Sequence, residues 1–564
     1  MLIGWGLTEF FIKNEEDESM RLIVIGAVAA GTSAAAKARR NDDNAEIVIY
    51  EKDRDISYSG CGLPYYIGKE IEDIDELTPR DPAFFKKKYN IDVFTGYEVL
   101  SINSDSKEVE VKNLNTDEVF KDSYDKLIIA TGATPFIPQI EGVNNNNVFF
   151  LRNVQSARNI RNFIDIKKPK HAVIAGTGFI GFEMLENLMG DGVNVTIVEM
   201  QSKITPNLDE DMAAFLENTL KKKNINIIKN SVITKIDDES VTLNDNTVIK
   251  SDMVIMATGV RPNTEIAREA GIEVGVTKAI KVNNKMETNI PDIYACGDCI
   301  ETFSTITGKA VYRPLGSTAN KTGRIAGENA TGGKLEYRGN LSTGIFKLFD
   351  MTIANTGLSE KEALEEGYDI QICHNIKPDK PSYFHGKEMV IKAIADKNTE
   401  KILGVQIIGY EGVDKRIDVF VTLITYGAKV DELFHLDLAY APPFSTTKDP
   451  VHYTGMILDN ALNNNRPIIT SNELKNLVES GEKVQIVDAR VSKQYDEAHV
   501  DNAVNIPHKN LRIEMENLDK NAVVVTYCNK GVTGNAAQNI FINYGYKKVY
   551  NLSGGHKFYK GSKK

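Results

Sequence analysis

One local pattern occurs twice in this chain, and that repetition constrains its fold more than any other feature. Arg21–Gly26 (RLIVIG) is an unbroken apolar run, Thr32–Arg40 (TSAAAKARR) is alanine-rich and helix-forming, and Glu46–Glu51 (EIVIYE) is a second apolar run ending in an acid. The layout returns as His171–Gly176 (HAVIAG), Phe179–Gly190 (FIGFEMLENLMG) and Val193–Glu199 (VNVTIVE). Apolar runs this short suit strands buried on both faces, as in a parallel sheet covered by helices. A glycine turn between strand and helix exposes helix-N-terminal amides to a phosphate, and an acid ending the next strand can reach a ribose. Two such units predict two Rossmann-like dinucleotide-binding folds, hence an α/β chain.

The second unit carries the full fingerprint, Gly176, Gly178 and Gly181, with Glu199 closing the following strand. A carboxylate there accepts from a ribose 2′-OH and repels a 2′-phosphate, which favours NADH and leaves NADPH possible. The first unit is imperfect: Gly26 and Gly31 hold the outer positions, Val28 takes the middle one beside Ala29, and Glu51 ends the strand. Two further runs, KLIIATGATP (Lys126–Pro135) and MVIMATGVRPN (Met253–Asn263), stop in Ala-Thr-Gly. Small residues there (Thr131, Gly132, Gly259) let backbone pass close to a cofactor. Asp298, in the run IYACGD, offers a carboxylate suited to the ribityl chain of a flavin.

At 564 residues the chain has room for roughly four domains. A net charge of -11 argues against nonspecific nucleic-acid binding. No apolar run approaches the ~18 residues of a membrane span. Five scattered cysteines (Cys61, Cys296, Cys299, Cys373, Cys528) do not form a disulfide framework and suit the reducing cytoplasm. The boundaries read as an N-terminal extension over 1–19, a first nucleotide domain over 20–130 and 262–338, and a second over 131–261. A domain without glycine fingerprints (339–461), a polar linker (462–467) and a small α/β domain (468–564) follow. The extension reads as a disordered leader or the product of an upstream start codon, with Met20 the alternative first residue.

GAVAAG, ATGATP, GTGFIG with Glu199, ATGVRPN and YACGD, in this order from Arg21 to about Asn460, resemble the flavoprotein disulfide reductases with two dinucleotide domains. The resemblance implies FAD in the first domain, NAD(P)H in the second, and an α+β third domain that makes a homodimer. Cys61, in SYSGCGLPYYIG, has no nearby second cysteine, so the chain resembles the one-cysteine branch of that family. This branch holds coenzyme A disulfide reductases, NADH-dependent persulfide reductases, and NADH oxidases and peroxidases. The peroxide-reducing members usually carry a histidine where this chain has Ala29. AYAPPFSTTKDP (Ala439–Pro450) is similar to a coenzyme A disulfide reductase segment whose tyrosine, here Tyr440, crosses the dimer interface to protonate the leaving thiolate. Tyr383, in PSYFHG, matches the family's second tyrosine. Arg39 and Arg40 match basic positions of the family for the anionic end of coenzyme A, as substrate or bound ligand, and Arg324 is a further candidate. A helix N-terminus beside Cys61 is expected to favour its thiolate.

Near the C-terminus VDAR, HVDNAVNIP, YCNKGVTG and NLSGGHKFY resemble a single-domain rhodanese from about Ile468 to Phe558. The resemblance makes Cys528 the sulfur acceptor, cradled by Asn529, Lys530, Gly531, Val532 and Thr533. Lys530 adds positive charge, and Asp488 with Arg490 buttresses the fold. Cys296, Cys299 and Cys373 read as structural, and no metal is expected. The resulting expectation is an NADH-driven reductase of persulfides, polysulfides or coenzyme A disulfide with a fused sulfurtransferase. An NADH oxidase or peroxidase and a redox-sensing sulfurtransferase are the alternatives.

Overall fold

The structure is a computed structural model and describes residues 19–563; the expected leader therefore lies, but for Ser19, outside the described residues. The first sheet is five-stranded and parallel, in the order Ile293–Ala295, Lys126–Ile129, Arg21–Ile25, Glu46–Glu51, Asp92–Thr95. The second repeats the arrangement with Val148–Phe149, Met253–Met256, His171–Ala175, Asn194–Val198 and Asn226–Ile228. An edge strand of the first sheet, Ile293–Ala295, arrives only after the whole second sheet is built. The chain thus leaves the first fold, completes the second and returns. The two crossings touch: Ala133–Pro135 pairs antiparallel with Val260–Pro262, so both Ala-Thr-Gly runs lie side by side. Asn263 locks them, its Nδ2 donating to the Thr131 carbonyl at 2.7 Å while its own carbonyl accepts from Thr131 Oγ1 at 2.8 Å.

The alanines of Ala29–Asn41 have a packing reason. This helix lies against Gly316–Ala330 so closely that a Cβ on Gly323 would fall 2.3 Å from the Ala30 carbonyl oxygen. One on Gly327 would fall 2.1 Å from that of Ala34. Small residues on both helices allow near backbone contact, which holds the first glycine turn against the returning segment.

The third domain is an antiparallel sheet in the order Gly344–Leu348, Met351–Gly357, Ile402–Gly409, Glu388–Asp396, Ile370–Pro378. Its central strand Ile402–Gly409 is buried along its whole length, under the helix Val413–Thr425 on one side. Arg416 on that helix pairs with Asp449 at 2.8 Å, both buried, and Asp449 caps the helix Pro450–Leu462. That pair anchors the end of the segment carrying Tyr440. The last domain is a parallel sheet in the order Ile468–Ile469, Val549–Leu552, Val523–Tyr527, Val484–Asp488, Ala503–Asn505.

It is docked on the rest of the molecule. Glu388 of the third domain holds both Lys530 and Lys557. His374, also of the third domain, contacts Ser553 Oγ at 3.0 Å and Asp211 of the second fold at 2.8 Å, and stacks on Phe558. Among the described residues no helix is long and apolar enough to cross a membrane.

Candidate functional site

The two glycine turns have matching geometry. Gly26 and Gly176 both adopt φ +104°, and a Cβ on either would approach a carbonyl oxygen of the next Ala-Thr-Gly run, Ala130 at 2.3 Å and Ala257 at 2.5 Å. A Cβ on Gly31 or Gly181 would collide with the carbonyl of Gly26 or Gly176, so both are packing glycines. Gly178 differs: a Cβ there would meet nothing within 4 Å, leaving open space at the helix N-terminus where a pyrophosphate fits.

Each closing acid folds back on its own turn. Glu51 accepts from the Ala27 amide at 2.7 Å and the Asp53 amide at 2.9 Å. Glu199 accepts from the Thr177 amide at 3.0 Å, Thr177 Oγ1 at 2.5 Å and the Gln201 amide at 2.8 Å. A carboxylate has about four acceptor positions, so both retain capacity for a ribose hydroxyl. Burial pushes the Glu51 carboxyl up, opposed by those backbone donors.

In the first fold the turn opens on a cavity of about 600 Å³ that gathers Gly26, Ala29, Glu51, Thr131, Gly132 and Asp298. Tyr58 and Arg152 also line it, and Arg152 Nη2 donates to Asp298 Oδ2 at 3.0 Å. Its size, its glycine turn and the acceptor capacity left on Glu51 fit a flavin dinucleotide.

Cys61 is coupled to this cavity through charge, since Asp298 and Arg152 on its wall both act on the sulfur. It lies in the short helical turn Gly60–Gly62, which runs directly into the helix Leu63–Ile67. That helix packs on Phe179–Gly190 of the second fold, with Gly68 so near Asn187 that a Cβ would lie 1.9 Å from Oδ1. Cys61 is open to solvent, yet burial of its surroundings pushes its thiol up, and the Glu183 and Asp298 carboxylates add to this while Arg152 opposes it. Burial and the two carboxylates therefore work against the expected thiolate bias, while Arg152 works for it. Glu183 is itself pushed up to about 7, by burial first and then by Glu186. The sulfur thus has a carboxyl neighbour that changes charge near neutrality. Cys296 and Cys299 are fully buried, and burial raises both thiols, Cys299 to about 11.

Cys528 follows the strand Val523–Tyr527 and precedes the helix Val532–Asn543. Gly531, at φ +100°, turns its amide onto the sulfur at 3.2 Å. Arg490 grips the fully buried Asp488 through two nitrogens, at 2.6 Å and 2.9 Å, and also donates to Asn529 Oδ1 at 3.2 Å. His556 is pushed down to about 4, by burial first and then by Arg490, so it is neutral and accepts from Arg490 through Nδ1 at 3.1 Å. A cavity of about 620 Å³ opens over Cys528, Asn529, Lys530, Val532 and Thr533, and Lys377 of the third domain also lines it.

Comparison with known proteins agrees with this geometry. The profile of the pyridine nucleotide-disulphide oxidoreductases matches residues 20–316, that family's dimerisation domain matches 344–450, and the rhodanese-like domain matches 470–561. The chain belongs to the pyridine nucleotide-disulphide oxidoreductase family. It is similar to the crystal structure of reduced Bacillus anthracis CoADR-RHD, with 35% identity and a TM-score of 0.94 over 96% of this chain and 98% of that one. An NAD(P)H coenzyme A polysulfide/persulfide reductase of Pyrococcus horikoshii is 35% identical, covering 78% of this chain and 99% of the relative. An NADH oxidase of Methanocaldococcus jannaschii is 36% identical over 77% of this chain and 97% of the relative.

For a pyridine nucleotide-disulphide oxidoreductase of this kind, several site residues stand differently from the sequence reading. Arg39 is not available to a ligand: it is buried and spends its guanidinium on the carbonyls of Tyr89, Asn90, Asp42 and Asp43, at 2.6 to 3.3 Å. Arg40 and Arg324 are exposed. Lys530 lines the Cys528 cavity but its charge is held by Glu388, so it is not a free cation there. Among the described residues, the Gly531 amide is the one hydrogen-bond donor to the Cys528 sulfur. Tyr383 and Tyr440 are exposed on the dimerisation domain, 68% and 48%.

Sequence reasoning missed Glu183, Arg152 and Lys377, each of which reaches its site from another part of the chain. For Glu183 a signal existed, since it stands on the helix that begins at the complete fingerprint. The acids Asp209, Asp211 and Glu360 have the spacing of a metal site, but Lys392 Nζ lies 2.7 to 3.1 Å from all three and fills the cation's place.

Proposed function

We propose that this enzyme is an NADH-driven, FAD-containing reductase of coenzyme A persulfide, polysulfide or coenzyme A disulfide, joined to a sulfurtransferase and working as a cytoplasmic homodimer. The observation that carries the reading is a solitary exposed thiol, Cys61, whose charge interacts with Asp298 and Arg152 on the wall of a dinucleotide cavity, with the two other cysteines of that domain fully buried. With no second thiol to close a ring, Cys61 must form its S–S bond with a substrate.

The residues divide the work as follows. Cys61 as thiolate attacks one sulfur of the substrate; the S–S bond breaks, a Cys61 mixed disulfide or persulfide forms, and a thiolate leaves. Tyr440 of the partner subunit gives the leaving thiolate its proton, and its exposure on the dimerisation domain suits a group that acts across an interface. Exposed Tyr383, Phe384, Tyr440 and Phe444 on the same domain suit a surface covered by a second copy. A flavin held by Gly26, Glu51 and Asp298 would supply the electron pair; Cys61 is the sulfur that would receive it, returning to the thiol with protons from solvent as hydrogen sulfide or a thiol leaves. Glu183 adjusts the charge beside Cys61, and the spare acceptor position of Glu199 favours NADH. Cys528 takes sulfane sulfur from a donor, with the Gly531 amide stabilising the resulting anion.

NADH oxidation measured side by side with coenzyme A persulfide, polysulfide, coenzyme A disulfide and oxygen, with sulfide recorded, tests this. Sulfur acceptors should outpace oxygen, and Cys61→Ser should abolish their turnover. Turnover of the sulfur acceptors at the full rate in Cys61→Ser, or oxygen as the fastest acceptor, would overturn it.

A further inference from the structure

The cavity over Cys528 is not built by the rhodanese-like domain alone: one wall is Ile376, Lys377 and Pro378, the end of a strand of the dimerisation domain. Four cations line it, Lys377, Arg490, Lys509 and Lys530. Arg490 is committed to Asp488 and Lys530 to Glu388, and Lys509 is exposed on the rim. Lys377 is half-buried and, among the described residues, has no carboxylate or carbonyl partner; its ammonium lies over the face of the Tyr453 ring at 3.7 Å. It lies near enough to Cys528 for their charges to interact, while Lys530 and Lys448 repel it and burial pushes its ammonium down. An unneutralised ammonium lining the same cavity as a nucleophilic sulfur is a receptor for an anion.

We propose that Lys377 completes the sulfurtransferase pocket from the neighbouring domain, binding the anionic head of a small sulfane-sulfur donor of the thiosulfate class. The inference rests on reading Cys528 as a sulfur acceptor. In the transfer, the Cys528 thiolate attacks the outer sulfur of thiosulfate, a Cys528–sulfur bond forms, and the donor's S–S bond breaks. Sulfite leaves with the bonding pair, and Cys528 becomes a persulfide anion. Charge and electrons balance without another reactant. Lys377 faces the sulfonate oxygens during approach, which a site with its other interior cations already neutralised cannot do. It also makes the activity depend on docking of the two domains, which Glu388 secures through Lys530 and Lys557.

The test uses the full-length holoenzyme and thiosulfate:cyanide sulfurtransfer. Lys377→Met should raise the KM for thiosulfate about tenfold or more, the worth of a charge-assisted contact. The KM for cyanide should stay unchanged, and Lys377→Arg should recover most of the loss. Lys448→Met removes a charge from outside the cavity and should leave the thiosulfate KM near the wild-type value. NADH-linked reduction of coenzyme A disulfide, measured on each variant, reports that the protein is folded. A Lys377→Met enzyme with wild-type thiosulfate KM, or an equal effect from Lys448→Met, overturns the assignment while leaving the sulfurtransferase reading intact. A wild-type enzyme with no transfer at all overturns both.

Discussion

Glu183→Gln isolates one charge beside Cys61, and the size of its effect follows from the site. The Glu183 carboxyl moves from its ordinary 4.5 to about 7 because it is mostly buried and Glu186 stands close by. At 1.36 kcal/mol per pKa unit, holding it ionised in the fold costs about 3 kcal/mol. The folded value lies above the unfolded one, so the protonated form is favoured by folding. The penalty is absent well below pH 4.5, grows as pH rises through the interval from 4.5 to 7, and is complete above it. Linkage puts it at about 1 kcal/mol at pH 5 and about 3 kcal/mol at pH 8. Glutamine keeps the shape and cannot ionise, so Glu183→Gln should gain on wild type as pH rises. At about 2–4 °C per kcal/mol for domains of this size, the gap at pH 8 should reach about 6 °C or more, shrinking to a few degrees at pH 5. Thermal unfolding of both proteins at matched flavin content measures it. Iodoacetamide alkylation of Cys61 supplies a second reading, because removing a negative neighbour should shift its thiol titration to lower pH. A gap between the two proteins that does not change with pH, together with an unshifted Cys61 profile, would refute the placement of an ionisable Glu183 at this thiol.

Three more outcomes follow from single contacts. Gly327→Val forces a Cβ within 2.1 Å of the Ala34 carbonyl, so the two helices must separate at a cost of about 1–3 kcal/mol or more; flavin absorbance retained after gel filtration should fall. Arg490→Met strands the buried Asp488 carboxylate, a loss of about 3–5 kcal/mol. Sulfurtransfer should disappear while NADH-linked coenzyme A disulfide reduction persists, as paired assays would show. Glu199→Ala removes an acceptor of three hydrogen bonds and the charge facing a 2′-phosphate, so the NADH to NADPH ratio of kcat/KM should fall about tenfold.

What the sequence disclosed and what it hid have a common physical origin. The nucleotide folds were legible because their causes are local: Gly26, Gly31, Gly176 and Gly181 are required by backbone contacts within or next to their own units. The Cys528 loop was legible for the same reason, since Gly531 turns its amide onto a sulfur three residues earlier. The charges around each sulfur were not. Arg152 and Glu183 reach Cys61, and Glu388 and Lys377 reach the Cys528 cavity, only after separate domains pack. Arg39 misled because two arginines ending a helix look solvated; one instead satisfies carbonyls at the helix C-terminus and across to Tyr89 and Asn90. The alanines of the first helix read as helix propensity, and their packing against Gly323 and Gly327 rests on a segment nearly three hundred residues away.

The most direct measurement is an anaerobic reductive titration of the holoenzyme after loading Cys61 with a thiol or sulfane sulfur, compared with Cys61→Ser treated identically. The account expects the wild-type protein to take up one electron pair beyond that needed for its flavin and to release a thiol or sulfide as it does so. Equal electron uptake by both proteins, with nothing released, would contradict a single sulfur that receives electrons from the neighbouring cofactor.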